Sequence, residues 1–147
     1  MPVVSERDYG RDGRPLPESA LEAYLDIKMK KLGGKSIKSA PLVKGNPDRL
    51  VIVPYGRMYF VEMKTFVGRP APAQVVWHDR MAAMGHVVHV VNTKAKVERF
   101  VRYIMATGAG LKDGRRQAEK DLEATLRGYP YKAVSYTHLT LPTNSRV

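Results

Sequence analysis

Residues 48–66 read DRLVIVPYGRMYFVEMKTF, and this stretch decides the fold. The segments 49–55 (RLVIVPY) and 57–66 (RMYFVEMKTF) are rich in Val, Ile, Tyr and Phe, side chains that fit a pleated, half-buried surface. Pro54, Tyr55 and Gly56 supply turn chemistry between them, so the two segments are predicted to form a β-hairpin. A turn centred on Tyr55, or between Tyr55 and Gly56, sets Asp48 opposite Glu62 or Met63, with opposed β-carbons about 5 Å apart. Side chains alternate along a strand, so Glu62 and Lys64 point one way and Met63 the other. An Asp, a Glu and a Lys therefore converge on one edge of the sheet.

Upstream, residues 1–17 carry Gly10, Gly13, Pro15 and Pro17 without apolar period and read as an irregular N-terminal arm. Leu21, Leu25, Met29 and Leu32 then recur at helical spacing until Gly33 and Gly34 end the pattern. Residues 35–41 fit either a strand or a loop. Downstream of the hairpin, Gly68, Arg69 and Pro70 break the second strand. A helix follows over 72–84, closed by Gly85. Residues 86–92 (HVVHVVN) form a further strand and 94–107 another helix. A strand, a crossover helix and a strand in this order favour a parallel pair, so the fold class is α/β with a central mixed sheet flanked by helices. Residues 18–107 make up this domain. Residues 108–133 read as a basic C-terminal helical extension, with Ala118, Leu122 and Leu126 as its apolar stripe. It is either a solvated helix packed lightly on the domain or a face for DNA or a second copy. Residues 134–147 (VSYTHLTLPTNSRV) resemble a translated sequencing adapter and are read as a non-native tail.

The composition bounds the partners. A chain of 147 residues with 44% hydrophobic and 27% charged residues suits one globular domain. No apolar run is long enough to span a bilayer and the N-terminus lacks the shape of a signal peptide, so a cytoplasmic protein with no membrane partner is expected. The absence of cysteine removes disulfides, thiolate metal sites and a cysteine nucleophile, leaving oxygen or imidazole to hold any metal. A formal charge of +11 is the footprint of a polyanion binder, and Arg146 is the tail's single charged residue, so the charge does not depend on the tail.

Two carboxylates about 5 Å apart repel unless one is protonated or a cation lies between them. A divalent metal resolves the conflict: Mg²⁺ takes one or two protein carboxylates, keeps several waters and accepts phosphate oxygen. Such a site cleaves phosphodiesters, with Lys64 placed to orient a water or meet developing charge. Against this stands a plain reading in which Asp48 follows a turn and Glu62 and Lys64 form an exposed charge pattern. The context favours chemistry. Residues 45–48 give G-x-P-D, residues 60–65 give F-V-E-x-K-T, and 13 residues separate Asp48 from Glu62.

Together with Glu18 on the first helix, Lys38 after it, and Gln74 in the A-P-A-Q string before Trp77 and His78, these strings resemble the VRR-NUC domains of the PD-(D/E)xK nuclease superfamily, of the stand-alone kind found in phages and prophages. The resemblance covers about residues 18–92. It implies a restriction-endonuclease-like fold and Mg²⁺- or Mn²⁺-dependent deoxyribonuclease activity, with Glu18, Asp48 and Glu62 around the metal and Lys64 and Gln74 completing the catalytic set. It also implies homodimers acting on branched DNA such as Holliday junctions, in the host cytoplasm. Lys38, and with it Lys35 and Lys44, would contact DNA phosphates. Gln74 could instead satisfy a free backbone group at a helix start.

Glu22 is the alternative to Glu18. At about 100° per residue, Glu18 falls inside the apolar stripe of the first helix and Glu22 at its edge, where it can reach solvent. His78 and Asp79 are expected to face outward, and His86 and His89 to lie on opposite faces of their strand, which argues against a histidine metal site. Trp77 reads as core. A non-catalytic nucleic-acid-binding module on the same fold is the alternative function. A structural RNA-binding protein would explain the charge but not the two acidic strings.

Overall fold

The computed structural model describes residues 4–39 and 45–127. Lys44 and the adapter-like tail lie outside them. The elements run α1 (Glu18–Lys31), β1 (Lys35–Lys38), β2 (Arg49–Val53), β3 (Arg57–Met63), α2 (Pro72–Ala83), β4 (Val88–Val91), α3 (Lys94–Gly108) and α4 (Arg115–Leu126). The ambiguous segment after α1 is thus a strand. The four strands form one sheet in the order β1-β2-β3-β4, antiparallel except for the parallel pair β3–β4, so the sheet is mixed as expected.

The hairpin turns on three residues, Pro54, Tyr55 and Gly56, with Val53 facing Arg57 and Arg49 facing Val61. Tyr55 and Gly56 both have φ of 70°, a left-handed conformation that Gly56 adopts freely and Tyr55 only as a tight-turn residue. One step beyond Arg49 and Val61, this register brings Asp48 opposite Glu62, the first of the two alignments expected.

The core lies between one face of the sheet and the helices α1 and α3. Val51 and Val53 on β2, Val61 and Met63 on β3 and Val91 on β4 meet Leu21, Leu25 and Met29 of α1 and Val97, Phe100 and Ile104 of α3. Each such side chain contributes about 1.5–3 kcal/mol by leaving water. Period two on the strands and the 3.6-residue repeat on the helices select these positions. Among the described residues no helix is long and apolar enough to cross a membrane.

Two outer segments flank this core. The N-terminal arm, read as irregular, is docked on the domain. Glu6–Asp8 form a 3-10 turn, Tyr9 bridges to Pro15, and Asp8, 1% exposed, accepts a hydrogen bond of 2.9 Å from the Lys94 backbone N–H at the start of α3. Arg7 adds a 3.0 Å ion pair to Glu98. A carboxylate at a helix N-terminus meets unpaired N–H groups and the positive end of the dipole, a contact the Gly and Pro content of this stretch does not reveal. The extension is the other case. Helix α4 has Arg115, Arg116 and Lys120 against Glu119, Asp121 and Glu123, so the helix itself is electrically balanced, and none of its residues is buried.

Candidate metal centre

Asp48 sits at the mouth of the hairpin, just ahead of β2. The Met63 backbone N–H donates to its carboxylate at 3.2 Å and 3.4 Å, while the Asp48 backbone N–H donates to Glu62 Oε2 at 3.3 Å. The Ser39 N–H closes on the Asp48 carbonyl at 2.8 Å, tying in the end of β1. The Met63 N–H thus holds the Asp48 carboxylate at the end of β3, where it feels the charges of Glu62, Glu22 and Glu18.

Helix α1 begins at that end. One carboxylate oxygen each from Glu18, Glu22 and Asp48 lie within 4.8 Å of one another, the one such group of His, Asp or Glu among the described residues. Both glutamates are half-buried, so the expected contrast between an inward Glu18 and a solvent-reaching Glu22 is not what the helix presents. Glu22 is turned inward by Arg49, whose Nη2 lies 3.0 Å from Glu22 Oε2 and whose Nη1 lies 3.2 Å from Asp26 Oδ1 and 3.2 Å from Ser36 Oγ.

Glu62 occupies the other side of Asp48. It is 1% exposed, and its Oε1 accepts from Gln74 Nε2 at 2.6 Å and faces Lys64 Nζ at 3.4 Å. Gln74 is one turn into α2, where its Oε1 also accepts the Ala71 N–H at 2.8 Å. Both readings of Gln74 therefore hold in one side chain: its oxygen satisfies a free N–H at the helix start and its amide fixes the buried carboxylate.

Burial pushes the Asp48 carboxyl up to about 6, helped by the charges of Glu62, Glu22 and Glu18 and opposed by the Met63 N–H. The donor set is hard oxygen, with several negative charges around one half-buried carboxyl, and it suits Mg²⁺, Mn²⁺ or Ca²⁺ rather than a thiolate- or imidazole-seeking ion.

The remaining candidates separate. Lys38 is exposed and opposite Arg49, at the site end of the sheet, whereas Lys35 pairs with Ile52 toward the far end. His89 packs among Tyr59, Phe100 and Tyr103, where burial lowers its pKa, while His86, against Phe60, lies ahead of β4 and not on the strand expected to carry both. Asp79 is exposed. His78 is not turned outward: its Nε2 is buried without a hydrogen-bond partner, as is the indole N–H of Trp77, which is half-buried and outside the core cluster. The residue that sequence reasoning missed is Arg49. Its signal was present, a charge in phase with the buried Val51 and Val53.

One glycine sets how closely α2 approaches this site. Gly45 has φ of 91°, and a β-carbon there would collide with the Ala73 carbonyl in the first turn of α2. Gly45→Ala is expected to destabilise the fold by about 1–3 kcal/mol. Because Gln74 is carried on the displaced turn, its hold on Glu62 should loosen as well. Thermal melts of wild type and variant check this, and an unchanged melting temperature would contradict it.

No family model matches the chain. It is 38% identical over 82 residues to "Putative nuclease p44" of Acyrthosiphon pisum secondary endosymbiont phage 1, an alignment spanning 55% of this chain and 88% of that protein. A solved structure described as a VRR_NUC domain superposes with a TM-score of 0.53 at 33% identity, covering 58% of this chain and 94% of the other. Sequence and fold thus agree over nearly the whole length of both relatives, and the chain belongs to the VRR-NUC family of the PD-(D/E)xK nuclease superfamily.

Proposed function

We propose that this protein is a divalent-metal-dependent deoxyribonuclease that hydrolyses phosphodiester bonds within DNA. The observation that carries the reading is Asp48, clamped by the Met63 N–H between Glu18 and Glu22 on one side and the Glu62, Lys64 and Gln74 group on the other. Asp48, Glu62 and Glu18 would hold Mg²⁺ or Mn²⁺. When bound, such an ion polarises a phosphoryl oxygen and acidifies a coordinated water. Lys64, held at 3.4 Å from Glu62, presents an ammonium to orient the attacking water or to meet charge developing on the phosphate. Gln74 keeps Glu62 in place. Lys38, exposed at the same end of the sheet, reaches a flanking phosphate. The chain's charge of +11 supports a polyanionic substrate. Branched DNA as the preferred substrate and a homodimer as the working form belong to the same proposal, on the strength of the family resemblance.

The test incubates the purified protein with labelled linear, flap and four-way-junction DNA, with Mg²⁺, with Mn²⁺ and with chelator. Product is expected only in the metal arms, with the junction or flap cut faster than linear DNA. Equal product in chelator would overturn the metal dependence. Binding that weakens with salt, is indifferent to metal and yields no product on any substrate would make the protein a non-catalytic binding module instead.

A further inference from the structure

We infer that Arg49 decides which α1 glutamate a divalent cation meets, withholding Glu22 and leaving Glu18 to complete the site with Asp48. The inference rests on the metal-site reading above and concerns a residue that reading does not use. The Arg49 side chain is 9% exposed, on the strand face that carries Val51 and Val53, so it cannot swing out to water. A guanidinium presents its donors in a fixed fork. Here one arm of the fork takes Glu22 at 3.0 Å and the other takes Asp26 and Ser36, both at 3.2 Å.

Glu22 has a 19% exposed side chain, so moving its Oε2 onto a cation would strip a buried positive charge of its closest partner. Glu18, one turn earlier, makes no hydrogen bond or ion pair among the described residues and is available to a cation at no such cost. Arg49 also sets the charge that an entering ion meets. With Glu22 neutralised, Glu18 is the α1 carboxylate left to join Asp48 and Glu62 around an ion that retains waters. Releasing Glu22 would add a further carboxylate and tighten binding.

The test measures Mn²⁺ affinity of the full chain, without DNA, by calorimetry or by electron paramagnetic resonance of the free ion. Arg49→Met is expected to bind Mn²⁺ about tenfold more tightly than wild type, the direction that added ligand charge dictates. Glu22→Gln alone should change affinity by less than about twofold, and in the Arg49→Met background it should erase the gain. Arg49→Lys, which keeps a charge but loses the fork, should give a smaller gain and serves if circular dichroism shows Arg49→Met unfolded. A purely structural arginine predicts the opposite sign, because loosening α1 weakens the site. Unchanged or weaker binding by the Arg49 variants, or a gain that survives Glu22→Gln, would overturn the inference. A wild type that binds Mn²⁺ and shows this pattern but cuts no DNA would sink the nuclease reading and leave Arg49's role standing. Failure of every form to bind Mn²⁺ sinks both.

Discussion

Asp48→Asn is expected to abolish cleavage and, in chelator at neutral pH, to make the protein more stable. The first effect follows from position. Asp48 is the carboxylate shared by the α1 and Glu62 groups, so its loss should cost about 10²–10³ in rate, the size of removing one preorganised electrostatic contact. Glu62→Gln and Lys64→Ala should lose cleavage to a similar degree with DNA binding nearly intact, because in the proposed site they act at the reacting phosphate and not along the backbone track.

The second effect follows from titration. The folded-state pKa is raised from an ordinary 3.8 to about 6, so the fold favours the neutral carboxyl. Stability from this group is fully present below about pH 4 and is lost as pH rises through about 6. Asparagine imitates the neutral form at every pH. At pH 7.5 the variant should therefore gain about 1 kcal/mol, discounted from the full shift because the carboxylate is partly solvated, which appears as a melting temperature a few degrees higher. The gain should vanish below about pH 4. In wild type, protons compete with metal for the same oxygens, so cleavage should fall as pH drops below about 6. A melting temperature lowered at pH 7.5 in chelator would contradict the electrostatic account, and retained cleavage would remove Asp48 from the site.

Local rules made the centre of this fold legible. Turn residues at 54–56 and period two in the flanking strands are enough to set Asp48 against Glu62, and the observed register does so. Gly85 ends α2 and Gln74 opens it for reasons equally local. The rest depended on contacts distant in sequence. Strand alternation predicts which face a side chain takes but not the hydrogen bond from the Met63 N–H that holds the Asp48 carboxylate. The expected trio of Glu18, Asp48 and Glu62 thus resolves into two groups meeting at Asp48, with Glu22 beside Glu18. The helical wheel placed Glu22 at the stripe's edge, and what turned it inward was a cation on β2, 27 residues away in sequence. Likewise Asp8 reaches Lys94 across 86 residues, a contact that no periodicity in residues 1–17 encodes.

Glu18→Gln and Glu22→Gln should separate in two observables that move in opposite senses. Glu18 makes no hydrogen bond or ion pair among the described residues, and its charge, favoured at the N-terminus of α1 but repelled by Asp48, adds little net stability in the absence of metal. Its replacement should leave the melting temperature unchanged or slightly higher while cleavage falls about a hundredfold and the metal concentration needed for half-maximal rate rises. Glu22 has the reverse profile. Glutamine at that position still accepts a hydrogen bond from Arg49 but leaves its buried charge compensated by Asp26 alone, whose side chain is 48% exposed. Breaking a buried pair from one side costs about 3–5 kcal/mol, and the partial exposure of Glu22 together with the remaining Asp26 contact brings the expected loss to about 1–2. Cleavage at saturating metal, measured below the melting transition, should drop by less than about tenfold, since Glu22 acts on the site through the placement of α1 and not as the favoured ligand. A metal-titrated cleavage assay run beside thermal melts distinguishes the two. Strong loss of activity with stability intact in Glu22→Gln, and the opposite in Glu18→Gln, would move the helical ligand one turn along α1 and make Arg49 a partner of the metal ligand itself.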